Sequence, residues 1–245
     1  MRTDSRSAND LRPVTIEPGF LSYPEGSCLV TFGNTRVLCS AMVEDRVPRF
    51  VKGTGQGWLT AEYGMIPGAT QERFGRESTT GRPSGRTQEI QRLIGRSLRS
   101  VVDMSAFADR TVWVDCDVLQ ADGGTRTAAI TGAFCAMAMA FDQLFSAKII
   151  KAFPVKSQVA AVSVGIIRGE KLLDLKYDED SIAEVDMNVV MCGDGRFIEV
   201  QGTAEQQPFS KTDLDALLAL AAHGIDQLFA AQRKALPFDL SKYGV

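Results

Sequence analysis

Alternating apolar and polar positions predict β-strands through the first third of the chain. Strands are expected from Val14 to Phe20, Cys28 to Phe32 and Thr35 to Val43, and Gly33-Asn34 predicts a tight hairpin between the last two. The alternation is clearest from Thr111 to Gln120, where every second residue is small and apolar: Val112, Val114, Cys116 and Val118. The chain therefore begins with antiparallel strands.

Three later segments place apolar residues at helical spacing. The first helix is expected around residues 90–102, and the second follows Gly123-Gly124, with an apolar stripe at Ile130, Phe134, Met137, Phe141 and Leu144. The third begins at a capping box formed by Ser210 and Asp213. Its apolar face consists of Leu214, Leu217, Leu218, Ala221, Ile225, Leu228 and Phe229.

Strands followed by a helix occur twice, before and after roughly residue 150. Two further hairpins are predicted in the second half, from Val159 to Leu175 and from Val185 to Gly202. We therefore predict a two-layer α+β fold, in which mixed or antiparallel sheets pack on helices. It would be a single domain, 1–245, made of two similar βαβ-type halves at roughly 1–150 and 151–245. A hydrophobic content of 44% can supply one large core.

Cysteine usage and the lack of a leader-like segment indicate a cytoplasmic protein. No run approaches about 18 uncharged apolar residues, and residues 1–13 alternate charges where a signal peptide would be apolar. The five cysteines include no Cys-x-x-Cys pair and lie mostly in apolar runs. We expect them to be reduced core residues.

The charge is divided into two windows of opposite sign. A net charge of −3 argues against a nucleic-acid partner, but residues 73–99 contain seven arginines and only two acids. Residues 170–205 contain ten acids and three basic residues. The stretch from Pro67 to Gly85 is nearly free of apolar residues, which predicts an exposed loop that orders against a partner. The first window suits phosphates and the second suits cations.

A phosphate site is predicted at the strand-to-helix turn formed by residues 122–126. Gly123 and Gly124 would let an anion approach the backbone at the start of a helix, where N–H groups lack partners. Thr125 adds a hydroxyl and Arg126 a planar cationic fork. The alternative is an ordinary tight turn with a threonine as the helix N-cap.

A cation site is predicted among the acids that follow the second hairpin. The group comprises Asp178, Glu179, Asp180, Glu184 and Asp186. Mg²⁺ takes one or two carboxylates and leaves its other positions to water and substrate phosphate. The alternative is a solvated acidic loop in which Asp186 satisfies backbone donors.

Residue types and motifs that the sequence lacks exclude several kinds of catalytic site. His223 is the only histidine, so one chain cannot assemble a histidine pair or a Cys-His nucleophile, and we expect His223 to be structural. The glycines of residues 53–57 precede a strand, which excludes a Rossmann site, and Gly-Thr-Arg-Thr lacks the lysine of a P-loop. Inorganic phosphate, which is already ionised, is a nucleophile that needs none of these groups.

Nearly the whole chain resembles the bacterial ribonuclease PH enzymes, which are kin to polynucleotide phosphorylase and to the exosome ring subunits. The resemblance is carried by residues 2–6, 11–13, 23–27, 57–63, 85–99, 115–127 and 186–191. It implies a ribonuclease PH-like fold and a 3′-to-5′ phosphorolytic exoribonuclease that trims tRNA precursors. Such an enzyme releases nucleoside diphosphates and runs backwards as a nucleotidyltransferase. It also implies a ring of six identical subunits, arranged as a trimer of dimers. The alternative is a catalytically silent RNA-binding ring subunit.

The family's site residues match positions of this sequence one by one. Phosphate-binding positions correspond to Arg86, Gly124, Thr125 and Arg126, of which Arg126 is also catalytic. Carboxylates that bind a metal, Mg²⁺, or transfer protons correspond to Asp180 and Asp186. The remaining arginines would contact RNA or neighbouring subunits: Arg73, Arg76, Arg92, Arg96 and Arg99.

Overall fold

The first half of the chain forms a five-stranded sheet in the computed structural model, which describes residues 2–79, 81–205 and 207–245. Its strands are β1 (Val14–Pro18), β2 (Gly26–Phe32), β3 (Thr35–Glu44), β4 (Trp58–Met65) and β5 (Thr111–Gln120), in the order β1-β2-β3-β5-β4. Among the described strands of this sheet, β4 and β5 are the one parallel pair, and α1 (Gly85–Ser100) lies between them in sequence. The predicted Gly33-Asn34 hairpin is confirmed.

The second half forms a four-stranded sheet in which every pair of described strands is antiparallel. Its strands are β6 (Val159–Ile167), β7 (Glu170–Leu173), β8 (Val185–Cys192) and β9 (Phe197–Ala204), in the order β7-β6-β8-β9. A short helix, α3 (Tyr177–Asp180), joins β7 to β8, and α4 (Lys211–Ala235) follows β9. The predicted Ser210–Asp213 capping box begins α4. The expected arrangement of mixed and antiparallel sheets on helices is confirmed.

Helix α2 (Thr125–Ser146) lies at the centre of the core and packs against both sheets. The five residues of the predicted apolar stripe on α2 are all buried, but the buried surface is wider than one stripe, because every residue from 127 to 141 is buried. Gly26 of β2 lies so close that an added Cβ would meet the carbonyl oxygen of Ala136 at 2.0 Å. Glycine is therefore required where β2 crosses α2.

Two of the described helices, α2 and α4, have the length and hydropathy of a membrane span. In the most apolar 18-residue stretch of each helix, 83% of the residues of α2 and 33% of those of α4 are buried. A core helix meets the same criterion, and α2 is mostly buried inside the protein. Helix α4 buries Leu217, Ile225 and Leu228 and packs mainly against the second sheet. The five cysteines are free and buried, as expected.

Candidate active site

A narrow polar cavity lies between the start of α2, α3 and the second sheet. It is lined by Arg86, Gly124, Thr125, Arg126, Ser163, Asp180, Asp186 and Asn188. This one cavity brings together the phosphate-binding positions and the two carboxylates that the family resemblance implies, although these residues span about a hundred positions of sequence: Arg86, Gly124, Thr125, Arg126, Asp180 and Asp186. Phosphate-seeking and cation-seeking groups therefore face each other across one small space.

The paired glycines hold the turn after β5 against the segment that carries Asp180. Gly123 and Gly124 adopt φ angles of 73° and 65°, which favour glycine. A Cβ on Gly123 would meet the carbonyl oxygen of Leu175 at 2.7 Å and the nitrogen of Tyr177 at 2.8 Å. The glycine therefore allows the phosphate turn, residues 122–126, to touch the start of α3.

The amino end of α2 has no side-chain cap. Gly124 occupies the N-cap position, so the alternative of a threonine N-cap is wrong. The hydroxyl of Thr125 instead pairs with the hydroxyl of Tyr63 at 2.8 Å, and Thr127 donates to the carbonyl of Gly124 at 2.9 Å. Uncapped N–H groups and the positive end of the peptide dipoles favour an anion at this position.

The guanidinium groups of Arg126 and Arg86 differ in how they are held in the cavity. Arg126 donates to the side-chain oxygens of Gln201, on β9, and of Glu89, on α1, the latter at 3.3 Å. These contacts fix the guanidinium between two elements far apart in sequence. Arg86 makes no ion pair within the described ranges, and its charge acts on Asp180 and Asp186 across the cavity.

The two carboxylates of the cavity are costly to ionise. Burial raises the pKa of Asp180, and it raises the pKa of Asp186 to about 6, with a further contribution from the charge of Asp180. Arg126 and Arg86 oppose both shifts. The Oδ1 atom of Asp186 is buried with no hydrogen-bond partner in the described structure. A buried carboxylate oxygen without a hydrogen-bond partner is stabilised when it binds a proton or a cation.

The acidic window does not act as a unit. Asp178 pairs with Lys176 at 2.8 Å, and Glu179 is bound by Arg2, so neither lines the cavity. The described part of the chain has no cluster of three or more His, Cys, Asp or Glu side chains that could hold a metal. Of the five acids among which the cation site is predicted, Asp180 and Asp186 line the cavity, and this pair could hold Mg²⁺ with water and phosphate as the other ligands.

The three arginines in the later turns of α1, Arg92, Arg96 and Arg99, differ in whether their side chains are bound by other parts of the protein. Arg92 is exposed, and Arg96 forms an ion pair with Glu199 at 2.6 Å. Arg99 instead donates to the carbonyl of Leu59 at 3.0 Å and lies over the ring of Trp58, which gives it a structural role. Arg73 and Arg76 lie exposed in the predicted loop from Pro67 to Gly85, whose Thr80 is outside the described residues.

Several residues of the site were missed at the level of sequence. Asn188 could have been found, because it lies two positions after Asp186 on β8 and therefore faces the same side of the sheet. Ser163, on β6, pairs in register with Asn188 across the sheet. Gln201 and Glu89 have no local signal, since only the packing of β9 and α1 brings them to Arg126. The lone His223 is exposed on α4, away from the cavity.

Comparison with known proteins identifies the family of this chain. Residues 10–141 match the model of the 3′ exoribonuclease family, domain 1, and residues 157–224 match domain 2. The chain belongs to the 3′ exoribonuclease family. Ribonuclease PH of Moorella thermoacetica is 58% identical over 244 residues, covering 100% of this chain and 98% of that protein. Ribonuclease PH of Bacillus subtilis is 58% identical over 237 residues, covering 96% of this chain and 97% of that protein.

Solved structures show the same fold at low identity. Rice Rrp46 superposes with a TM-score of 0.77 at 18% identity and covers 95% of this chain and 98% of its own. A chain of the Archaeoglobus fulgidus exosome, solved with RNA bound to the active site, gives 0.77 at 21% identity, covering 94% and 91%. The predicted fold class is confirmed, and family membership confirms the predicted phosphorolytic 3′ exoribonuclease activity, with phosphate as co-substrate.

The raised pKa of Asp186 predicts a pH-dependent cost to stability. The pKa of an unperturbed aspartate is 3.8 and that of Asp186 about 6, so the native state binds more protons between these values and loses stability as pH rises through them. Above pH 6 the cost reaches roughly 3 kcal/mol. Asp186→Asn should therefore unfold at higher denaturant concentration than the wild type at pH 8 in EDTA, with the difference vanishing near pH 4. Equal midpoints at pH 8 would contradict the assignment.

Proposed function

We propose that inorganic phosphate binds between Arg86 and the first turn of α2 and attacks the terminal phosphodiester at the 3′ end of RNA. The observation that carries this proposal is the shared cavity of Arg86, Thr125, Arg126, Asp180 and Asp186. Two guanidinium groups and a helix start would hold the phosphate in line with the bond to be broken.

The chemistry needs positioning and charge neutralisation more than it needs a base. A phosphate oxygen forms a new bond to phosphorus while the bond to the 3′ oxygen of the preceding nucleotide breaks, and a nucleoside diphosphate leaves. Arg86 and Arg126 neutralise the negative charge of both phosphate groups. The departing 3′ oxygen requires a proton, which Asp186 is better suited to deliver than an ordinary aspartate because burial raises its pKa to about 6.

The pair of carboxylates also fits a divalent cation. Asp180 and Asp186 would hold Mg²⁺ at the buried, unpartnered Oδ1 of Asp186. When bound, the ion would neutralise charge on the phosphoryl oxygens. Metal binding and proton delivery are alternative roles for Asp186 in different protonation states, because a bound cation displaces the proton.

The partners follow from the same proposal. The RNA would be the 3′ end of a tRNA precursor, and the reverse reaction would add nucleotides to it. The chain would be one domain of two duplicated halves and would assemble in the cytoplasm as a homohexameric ring of three dimers. The domains and exosome structures matched by this chain support the halves and a ring, and the exposed arginines supply a track for RNA.

A catalytically silent RNA-binding subunit is the main alternative. The complete set of phosphate-binding and acidic side chains in one cavity favours the enzyme. Incubation with single-stranded RNA, with and without inorganic phosphate, followed by chromatography, separates these cases. We expect nucleoside diphosphates only with phosphate. Monophosphates would indicate hydrolysis, and no product would indicate a binding protein; either would contradict the proposal.

The exposed arginines should govern the salt dependence of RNA binding. If Arg92 neutralises one RNA phosphate, Arg92→Gln should reduce the slope of log affinity against log salt by about 0.7. Arg99→Gln is the matched control on the same helix, since Arg99 is engaged with β4 and should leave the slope unchanged. Sedimentation of both variants would show whether Arg92 acts on RNA or on assembly. An unchanged slope with an intact oligomer would remove Arg92 from the RNA track.

A further inference from the structure

The first residues of the chain carry arginines that are buried beside the active site. Arg2 is 7% exposed and Arg12 is 3% exposed. Both are bound by carboxylates from the segment between β7 and the end of α3, namely Glu179 for Arg2 and Asp174 for Arg12. Buried arginines are costly unless paired, so these contacts fix the segment firmly. None of the four residues lines the cavity.

Arg12 connects a buried carboxylate to the phosphate turn. Its Nε and Nη2 atoms donate to the two oxygens of Asp174 at 2.9 and 2.6 Å, while Nη1 donates to the carbonyl of Asp122 at 2.5 Å. Asp174 is fully buried and adopts a φ of 54°, a left-handed conformation that costs energy in a non-glycine residue. Its position is therefore held by its surroundings, and Arg12 transmits that position to the turn.

Arg2 connects the same region to α3. Its Nε and Nη2 atoms bind the two oxygens of Glu179 at 2.7 and 2.8 Å, and Nη2 also donates to the carbonyl of Asp174 at 3.0 Å. Glu179 accepts a hydrogen bond from the backbone nitrogen of Lys176 at 3.1 Å, at the start of α3. The residue after Glu179 is Asp180, so this fork sets the position of a cavity carboxylate.

We infer that Arg2, Arg12, Asp174 and Glu179, the amino-terminal clamp, are positioning residues that hold the phosphate turn and Asp180 in register across the cavity. The Arg12–Asp174 pair sets the phosphate side and the Arg2–Glu179 pair sets the acidic side. Residues near the start of the chain thus position both sides of the cavity without lining it. This inference rests on the proposed phosphate site, and it assigns a different function to each pair.

The first test uses a lysine that keeps the charge but loses the fork. Arg12→Lys can still pair with Asp174, but a single ammonium group cannot also reach the carbonyl of Asp122 in the same geometry. We expect Kd for inorganic phosphate, measured by calorimetry on the intact oligomer, to rise about 10-fold or more. This is the size of effect expected when a hydrogen-bond partner that orients the binding groups is lost. Arg110→Lys is the matched control, since Arg110 pairs with Asp45 at the opposite end of β5, about 30 Å from the turn.

The second test separates positioning from general stability. Glu179→Gln weakens the hold on α3, so we expect kcat per folded molecule to fall about 10-fold and the Mg²⁺ affinity measured by calorimetry to fall with it, while Kd for phosphate is unchanged. If Arg12→Lys fails to fold, Asp174→Asn takes its place, because the carboxamide keeps the shape and one acceptor. A clamp that only stabilises the fold would lower the melting temperature and leave Kd and kcat per folded molecule unchanged, which would overturn the inference.

Failure of the inference and failure of the proposed function give different results. If the wild type binds no phosphate, or if Arg126→Ala binds it as tightly as the wild type, the proposed phosphate site is wrong. If the wild type binds phosphate, Arg126→Ala does not, and Arg12→Lys binds as the wild type does, only the clamp is wrong.

Discussion

Replacing Arg126 with alanine will lower kcat for phosphorolysis by about 10²- to 10³-fold, the scale seen when one preorganised donor to a reacting oxyanion is removed. Arg126 is 15% exposed in its side chain and is held by Gln201 and Glu89, so its guanidinium needs no reorganisation when phosphate arrives. The effect should be measured as phosphate-dependent release of nucleoside diphosphates at saturating RNA. The KM for phosphate should also rise.

Two comparisons make this prediction specific. Arg126→Lys retains a point charge without the planar fork and should recover only part of the activity. Arg46→Ala removes an exposed arginine that pairs with the nearby Glu44 at 2.8 Å, and the variant should behave as the wild type. Near-normal phosphate-dependent turnover by Arg126→Ala would mean that phosphate is held elsewhere.

Asp186→Asn will reduce kcat by about 10²- to 10⁴-fold, the range for loss of a positioned proton donor or acceptor. Asparagine keeps the shape of the side chain but can neither carry the proton nor supply the negative charge for a cation. The variant should nevertheless fold, and above pH 6 it should be more stable than the wild type, because burial makes ionisation of Asp186 unfavourable. Loss of activity together with gained stability is a combination that a damaged fold does not produce.

A control variant and measurements of Mg²⁺ binding distinguish the two roles of Asp186. Asp178→Asn changes a neighbouring acid that pairs with Lys176 outside the cavity, so its activity should be unchanged. If Asp186 holds Mg²⁺, calorimetry should show weakened Mg²⁺ binding in Asp186→Asn. If Asp186 delivers the proton, kcat of the wild type should fall as pH rises above about 6, whereas Asp186→Asn should keep Mg²⁺ binding and lose this pH dependence. Full activity of Asp186→Asn would contradict both roles.

The features of the site that are encoded locally could be predicted from sequence. The turn at Gly123-Gly124 was predictable because a strand period ends and a helix period begins within a few residues. Alternation along β5 correctly separated buried Val112 and Val114 from exposed Asp117. The resemblance to the ribonuclease PH enzymes then selected Arg86, Asp180 and Asp186 among many charged residues, and the structure places all three in one cavity.

The features that depend on long-range packing could not be predicted. Adjacent acids in the run from Asp178 to Asp180 have three different environments, and Arg2, 177 residues away from Glu179, decides which of them is structural. The apolar stripe predicted on α2 was too narrow, because the spacing of its large apolar residues does not show that a second sheet covers the opposite face of the helix. Arg99 looked equivalent to Arg92 and Arg96 until the position of Trp58 on β4 was known.

The position of bound phosphate can be determined in a crystal structure of the protein grown with inorganic phosphate. We expect one anion inside the cavity, within hydrogen-bonding distance of the guanidinium groups of Arg86 and Arg126 and of the first backbone nitrogens of α2, and we expect Arg126→Ala crystals to lack it. A phosphate bound outside this cavity, or an empty cavity at a phosphate concentration that saturates catalysis, would show that the phosphate site is wrong.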